Sequence, residues 1–429
     1  MVELSRGDLH VSVWDPVATS MNFLNEVAGR YPDAISLAAG RPYDGFYSVD
    51  DVERYLRLYV GHLRAEGLTD ERVRGLLLQY GRTNGQLGSL ISRMLDVDHG
   101  IAVPAEAVMV TAGCQEAMVI ALRALCVGPD DVLLAVEPCY VGMTGAARIL
   151  GVEVVAVPEG DDGLDPRTVA EVARRVRAEG KRPRALYVVP DFANPSGASM
   201  PVPTRRRLLD VAAEHDLLVL EDDPYGLFGL DDEPRPTLKS LDTDGCVIYL
   251  GSFAKSCFPG ARVGFLVADQ VVVDEAGGRT LLAEEMSAVK SMLTVNTSPI
   301  AQAVIGGVLV EADCSLRAAN QDKIEFYRHN LRTLLTALED HFPRSGRDGH
   351  GVRWNAPAGG FFVVVDVPFP ADEKLLEVSA ERYGVLWTPM SFFYRSGGHR
   401  ALRLSCSYLE PERVREGVRR LSRLVADVS

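Results

Sequence analysis

The stretch Gly251-Ser-Phe-Ala-Lys255-Ser-Cys-Phe-Pro-Gly-Ala-Arg262-Val-Gly264 sets one lysine between two groups that could serve it. Ser252 lies three residues before Lys255, and Arg262 seven after. An amine that must condense with an aldehyde has to be partly desolvated, so that it sheds its proton. A hydroxyl and a guanidinium beside it can hold an anionic phosphate. Together these describe a pyridoxal phosphate site. A Ser-x-x-Lys also arises by chance in a solvated loop, with Pro259-Gly260 as an ordinary turn. The assignment therefore depends on whether the rest of the chain supplies the other parts such a cofactor needs.

Those parts follow a series of short apolar runs. After Ala107–Thr111 comes Gly113-Cys114-Gln115, a glycine turn opening a helix, which offers backbone N–H groups and a positive dipole end to a phosphate. Tyr140, in Glu137-Pro-Cys-Tyr140, could stack on a flat heteroaromatic ring. Asn194, in an Asn-Pro turn, can donate to a phenolate-like oxygen. Leu220-Glu-Asp222-Asp-Pro-Tyr225 puts an acid at a strand end. A carboxylate there can keep a pyridinium nitrogen protonated, and Tyr225 can bind the ring oxygen. Each feature alone reads as a turn or as packing, Glu221 and Asp223 as an acidic solvated turn; the set is harder to explain that way.

The elements that must position these residues are legible as alternation. The runs 107–111, 132–136, 154–157, 185–189, 217–220, 247–250 and 263–267 are strand-like, with helical patterns at 115–125, 165–177 and 204–214 between several of them. This predicts an α/β fold with a mostly parallel seven-stranded sheet covered on both faces. Ligands bind such a sheet beyond the carboxyl ends of its strands, where the residues above fall. A long amphipathic helix over 318–340 leads to strand-like 360–365, helix-like 371–382, strand-like 401–405 and a terminal helix from Pro411 to about 426, a smaller α+β unit. The expected organisation is an arm of residues 1–48 contributing to the small domain, a large cofactor-binding domain of 49–315, and a small domain of 316–429.

Composition narrows the partners. The chain has 429 residues, 47% hydrophobic, with a formal charge of -14. That balance disfavours nucleic acid and anionic membranes and suits a small-molecule substrate. The start lacks the apolar core of a signal peptide and no run approaches a membrane span, so a cytoplasmic protein is expected. The seven scattered cysteines form no Cys-x-x-Cys pair, suggesting neither a disulfide framework nor a metal site.

With these residues in this order, the chain resembles the class I/II aminotransferases of the fold-type I pyridoxal phosphate family over nearly its whole length. The resemblance implies pyridoxal 5'-phosphate as cofactor, with Lys255 as its covalent partner and proton shuttle and Asp222 at the pyridinium. Asn194 and Tyr225 are implied at the ring oxygen and Tyr140 against the ring. Ser252, Arg262 and Gly113-Cys114-Gln115 are implied at the phosphate. Tyr80, in Gln79-Tyr80-Gly81, resembles the tyrosine that reaches the phosphate of a partner subunit, which implies a homodimer with shared sites. Arg403 resembles the clamp for the substrate carboxylate, with Asn194 beside it and Gly40 in the arm closing over it. Cys114 departs from the Ser or Ala of many relatives, as do Ala254 and Pro389-Met390 from common patterns.

The implied reaction moves an amino group between an amino acid and a 2-oxo acid by a ping-pong mechanism. Met21, Asn22, Phe23, Arg41, Tyr43, Phe46, Phe392, Phe393 and Tyr394 are candidates for setting the substrate. Their aromatic density leans toward a bulky or aromatic side chain, while Arg41 could pair with an acidic donor. The strings 40–46 and 138–146 are similar to those of aminotransferases from peptide-antibiotic pathways, which implies a non-proteinogenic amino acid such as an arylglycine. Three alternatives stand: oxygen-dependent oxidase, hydroxylase or cyclase chemistry on an arginine-derived amino acid, a general 2-aminoadipate or branched-chain aminotransferase, and the effector domain of a transcription regulator. The acidic charge counts against the last.

Overall fold

Seven aliphatic runs pair into one sheet in the computed structural model of the chain, which describes residues 2–13, 23–24, 26–160, 163–233, 235–343 and 351–429. The strands are β1 (Val108–Thr111), β2 (Asp131–Glu137), β3 (Glu153–Pro158), β4 (Arg182–Val188), β5 (Leu218–Asp222), β6 (Val247–Ser252) and β7 (Gly264–Val267). Their order is β1-β7-β6-β5-β4-β2-β3, and every pairing is parallel except those of β7. Because β7 alone runs backwards, the carboxyl ends of the other six share one edge with the start of β7.

Near-continuous apolar strands need both faces covered. Leu133, Ala135, Tyr187, Leu220, Ile248 and Leu250 pack with helices α2 (Cys114–Leu125) and α3 (Val141–Leu150) on one face. The alternate residues Val132, Leu134, Leu186, Val188, Val219 and Val247 pack with α4 (Pro166–Ala178) and α5 (Val202–Glu214) on the other. The β1 edge is closed by α1 (Val49–Ala65) and α7 (Pro299–Glu311), with α6 (Leu282–Leu293) between α5 and α7 in sequence. At Gly307 an added Cβ would lie 2.0 Å from the Tyr55 carbonyl oxygen, so the glycine is what permits α1 and α7 to cross so closely.

A second hydrophobic cluster lies under α8 (Gln321–His341), α9 (Pro411–Val428) and a small antiparallel sheet. That sheet orders β8 (Arg353–Trp354), β9 (Phe362–Asp366), β11 (Ala401–Ser405) and β10 (Thr388–Pro389). The arm joins this cluster through Val27, Ile35 and Leu37, and Ile35–Ser36 pairs in parallel with Val385–Leu386.

The structure corrects three local readings. The helix expected over 371–382 is Glu373–Val378 followed by a wider π turn, Ser379–Tyr383. That turn carries Ser379 inward, where its hydroxyl donates to Val385 O and accepts from Trp387 Nε1. The long helix begins at Gln321 and not at 318, because Leu316–Ala319 forms its own turn capped by the Asp98 carboxylate. Glu221, read as part of a solvated turn, is fully buried and accepts the amides of Leu238 and Lys239. Burial pushes its carboxyl up to about 8 despite those bonds.

Leu421 is fully buried in the cluster under α9. Leu421→Ala is expected to cost about 2–5 kcal/mol through the lost burial and the cavity left behind. A lowered midpoint in thermal unfolding monitored by circular dichroism checks this.

Candidate active site

At the shared sheet edge the chain leaves a cavity of about 370 Å³. Asp222 ends β5, Ser252 ends β6, Tyr140 and Asn194 follow β2 and β4, and Cys114 opens α2 after β1. Lys255 lies in a one-turn helix, Phe253–Ser256, directly after β6, with Ser252 accepting the Ala254 amide as N-cap. All of these line the cavity, as do Gly40, Arg41, Gln115, Tyr225, Arg262 and Arg403. Eleven of the sequence-derived candidates thus share one space with Lys255.

The phosphate end depends on glycines. Gly113 has φ +83, and a Cβ added there would lie 2.4 Å from Arg262 Nη2. A Cβ at Gly264 would lie 2.8 Å from Cys114 N, so that glycine lets the turn rest on β7. Arg262 is itself left-handed at φ 50, where the chain turns from Pro259–Ala261 into β7. The turn is braced from behind. Glu116 accepts the Ala112 amide at 2.6 Å and the fully buried Lys290 ammonium at 3.1 Å. Gly113 borders the cavity from beneath Arg262 without lining it.

At the opposite end Arg403, on β11, is buried. Its Nη1 donates to Asn194 Oδ1, and its Nη2 donates to Ala38 O at 2.8 Å and Thr388 Oγ1 at 3.3 Å. The bond to Oδ1 orients the Asn194 amide so that its NH2 is free to donate. Phe362 and Phe393 hold the guanidinium between their rings, at 4.2 and 4.9 Å. Arg403 Nε is buried without a hydrogen-bond partner. Gly40 lies so close to Phe362 that a Cβ would come within 2.5 Å of the ring.

Lys255 Nζ donates to the Gly40 carbonyl at 2.6 Å. Burial, reinforced by the positive charges of Arg403 and Arg262, lowers the amine to about 8. Asp222 is driven the other way, up to about 6 by burial, while hydrogen bonds from Tyr187 and Cys114 pull it back. Tyr225 packs edge-on against Phe361 and Phe362, and burial raises its hydroxyl. Burial likewise raises Tyr140 to about 12.

Two expected residues stand apart. Tyr80 is 83% exposed and lines no part of this cavity. Arg41 borders it, but its guanidinium lies over the Tyr408 ring at 3.7 Å and within 3.8 Å of Asp44. Among the substrate candidates Phe392 and Phe393 line the cavity, Tyr43 and Phe46 pack on Phe326 instead, and Met21 and Asn22 lie outside the described residues. Phe23 packs against the cluster under α9, and Tyr394 against Met390 and Phe393. Sequence reasoning missed Tyr187, Phe362, Thr388, and the walls Leu24, Met118, Val141 and Leu386. Tyr187 could have been found: it lies in the strand paired with the one that ends at Asp222.

These residues fit pyridoxal phosphate. Ser252, Arg262 and the start of α2 form an anion cradle that a single Cβ at Gly113 would obstruct, an acid stands at the far wall, and a half-buried lysine of lowered basicity lies between. Residues 70–421 match the family model of the aminotransferases of class I and II, and the chain belongs to that family of pyridoxal phosphate enzymes. It is 50% identical, over 99% of its own length and 95% of the relative's, to an (S)-3,5-dihydroxyphenylglycine transaminase of Amycolatopsis orientalis. Its fold matches a kynurenine aminotransferase of Pyrococcus horikoshii crystallised with PMP, at TM-score 0.80, 27% identity and 99% and 97% coverage. LysN, an α-aminoadipate aminotransferase of Thermus thermophilus complexed with N-(5'-phosphopyridoxyl)-L-leucine, matches at TM-score 0.77 and 29% identity, with 99% of each chain covered. The chain is therefore an aminotransferase acting on amino acids and 2-oxo acids, of fold type I. Among the described residues no helix is long and apolar enough to cross a membrane.

A lysine of about 8 has a readable consequence. Only the neutral amine attacks the cofactor aldehyde, so the rate at which cofactor-free protein takes up pyridoxal phosphate is expected to rise about tenfold per pH unit below 8 and flatten above it. An ordinary lysine would keep rising toward pH 10. Stopped-flow visible absorption against pH checks the break.

Proposed function

We propose that this aminotransferase exchanges the amino group of an arylglycine with a 2-oxo acid, in the cytoplasm, as part of peptide-antibiotic biosynthesis. The observation that carries the reading is 50% identity over 99% of the chain to the dihydroxyphenylglycine transaminase. The apolar walls Leu24, Met118, Val141, Leu386 and Phe392 suit an aromatic side chain. A reading as a 2-aminoadipate enzyme is favoured by the likeness to LysN. That reading needs a cation for the distal carboxylate, and Arg41 already has Asp44 and Tyr408 as neighbours.

In this reading Ser252, Arg262, Gln115 and the amides of Gly113 and Cys114 hold the phosphate, Tyr140 covers the ring, and Asn194 and Tyr225 hold its oxygen. Asp222 holds the proton on the ring nitrogen. The bound cofactor supplies an electrophilic carbon and an electron sink. Arg403 orients the substrate by its carboxylate, placing the Cα hydrogen before Lys255. Neutral Lys255 would take that proton at Nζ and hold it for return to the reacting groups. The arm at Ala38–Gly40 limits water access to the amine.

We further read the chain as an arm of 1–48, a large domain of 49–315 and a small domain of 316–429, assembled as a homodimer. Tyr80 supports the dimer, since it is exposed beside other exposed apolar side chains, Met292, Leu293, Val295 and Ile300, and Gly81 lies against Asn296. A tyrosine in that position suits the exposed guanidinium of Arg262 in a second copy.

Half-reactions with single amino acids test the substrate. Conversion of the cofactor's visible absorption is expected to be fastest with arylglycines, and a preference for 2-aminoadipate would sink the reading. Lys255→Ala should abolish turnover, and Arg403→Lys should lower kcat/KM about ten- to a hundredfold, mainly through KM. Mixing Tyr80→Ala with Lys255→Ala subunits should restore activity, because hybrid dimers regain one intact site. No recovery on mixing would mean that Tyr80 does not serve a partner.

A further inference from the structure

Asp222 lines the same cavity as Lys255, and both of its oxygens are engaged by side chains. Tyr187, buried on β4, donates its hydroxyl to Oδ2 at 2.7 Å. Cys114, at the first position of α2, reaches Oδ1 from Sγ at 3.4 Å. The two donors come from different elements and approach different oxygens, so the carboxylate is fixed in rotation as well as in place. Of the seven free cysteines six are buried, and Cys114 is the half-buried one.

We propose that Cys114 and Tyr187 are positioning residues that keep the Asp222 carboxylate ionised and oriented for the ring nitrogen, with the Cys114 thiol acting as hydrogen-bond donor and not as nucleophile. This rests on the assignment of Asp222 to that nitrogen. A buried carboxylate without donors takes up a proton, and a neutral acid cannot hold a second proton on a pyridine. The other titratable groups around Asp222 do not replace the donors. Asp223, on the same loop, raises it by repulsion. Tyr225 on that loop, Cys139 and Tyr140 before α3, and Tyr249 on β6 are neutral neighbours, each itself raised by burial. Lys255 lines the same cavity and is of lowered basicity.

The same contact makes the thiol a poor nucleophile. Burial, and after it repulsion by the Asp222 carboxylate and the hydrogen bond that ionisation would forfeit, hold the Cys114 thiol well above its ordinary range. Its proton is retained at neutral pH, which a donor needs. Serine, common at this position in the family, offers a shorter reach with the same donor function; alanine offers none.

The test uses the full chain in two measurements. In the first, the pyridoxal 5'-phosphate dissociation constant and the pH dependence of the bound cofactor's visible absorption are compared for wild type, Cys114→Ala and Cys114→Ser. Alanine is expected to weaken binding about five- to tenfold, the worth of one modest hydrogen bond to a charged group, and to move the acid-side spectral inflection to higher pH. Serine is expected to recover most of both. An unchanged alanine variant, or a serine variant no better than alanine, overturns the proposal.

The second measurement does not depend on the cofactor. The rate of iodoacetamide alkylation of Cys114, followed by mass spectrometry across pH in the cofactor-free chain, should rise only above the ordinary thiol range. In Asp222→Asn, where the charge is gone, the profile should shift down by about a pH unit or more. A profile that stays in place shows that thiol and carboxylate are not coupled and overturns the proposal independently of the ring-nitrogen assignment. Loss of that assignment alone would appear as a shifted alkylation profile together with an unchanged cofactor spectrum.

Discussion

The site rests on one electrostatic constraint: an amine walled into a cavity with two guanidinium groups near it gives up its proton more readily than an ordinary lysine, at about 8. Desolvation and the like charges of Arg262 and Arg403 act on Lys255 in the same direction. Arg403 cannot move away to relieve the pressure, being held by Ala38, Asn194, Thr388 and two aromatic rings. Arg262 lies against the Gly113 turn. Under the proposed function the groups that would hold the two anionic ends of the reactants would also activate the amine, and binding and activation would not be separable.

Close approach of backbone is the second requirement. Gly113, Gly264 and Gly40 each stand where a Cβ would collide, with Arg262, Cys114 and Phe362 respectively. Two of these collisions are with the groups that define the ends of the cavity. Behind the Gly113 turn an ion pair of the fully buried Lys290 with the largely buried Glu116 ties α6 to the loop before α2. Such a pair is weak evidence for stability and better evidence for a fixed geometry, since removing one partner would strand the other charge.

Much of this was legible in the sequence, because a parallel α/β sheet converts position along the chain into position in space. Once the apolar runs are recognised, residues just after the parallel ones must share an edge, and Asp222, Asn194 and Tyr140 were read by that rule, with Lys255 falling after the strand that ends at Ser252. Residues that reach the site sideways were harder. Tyr187 sits within a strand and reads as core, and its hydroxyl partner depends on register between neighbouring strands. Phe362, Thr388 and the Ala38 carbonyl come from distant segments whose approach no local pattern encodes. Arg41 is a different case: it lines the cavity as its type and position suggest, while a nearby acid and ring, which no local pattern announces, lie against its guanidinium.

The reversed strand β7 sets how the two ends of the cavity are tied together. It makes the segment from Ser252 to Gly264 a connection between adjacent antiparallel strands, so lysine and phosphate arginine are joined by a few residues of chain. The carboxylate arginine is tied in by contacts spanning 209 and 365 residues. The two ends accordingly differ in how they respond to fluctuation. An opening that parts Arg403 from Asn194 and Ala38 breaks only long-range contacts and leaves the short connection whole. The chain can thus loosen around Arg403 while the segment that carries Lys255 and Arg262 keeps its shape, so that under the proposed function product could leave and cofactor stay.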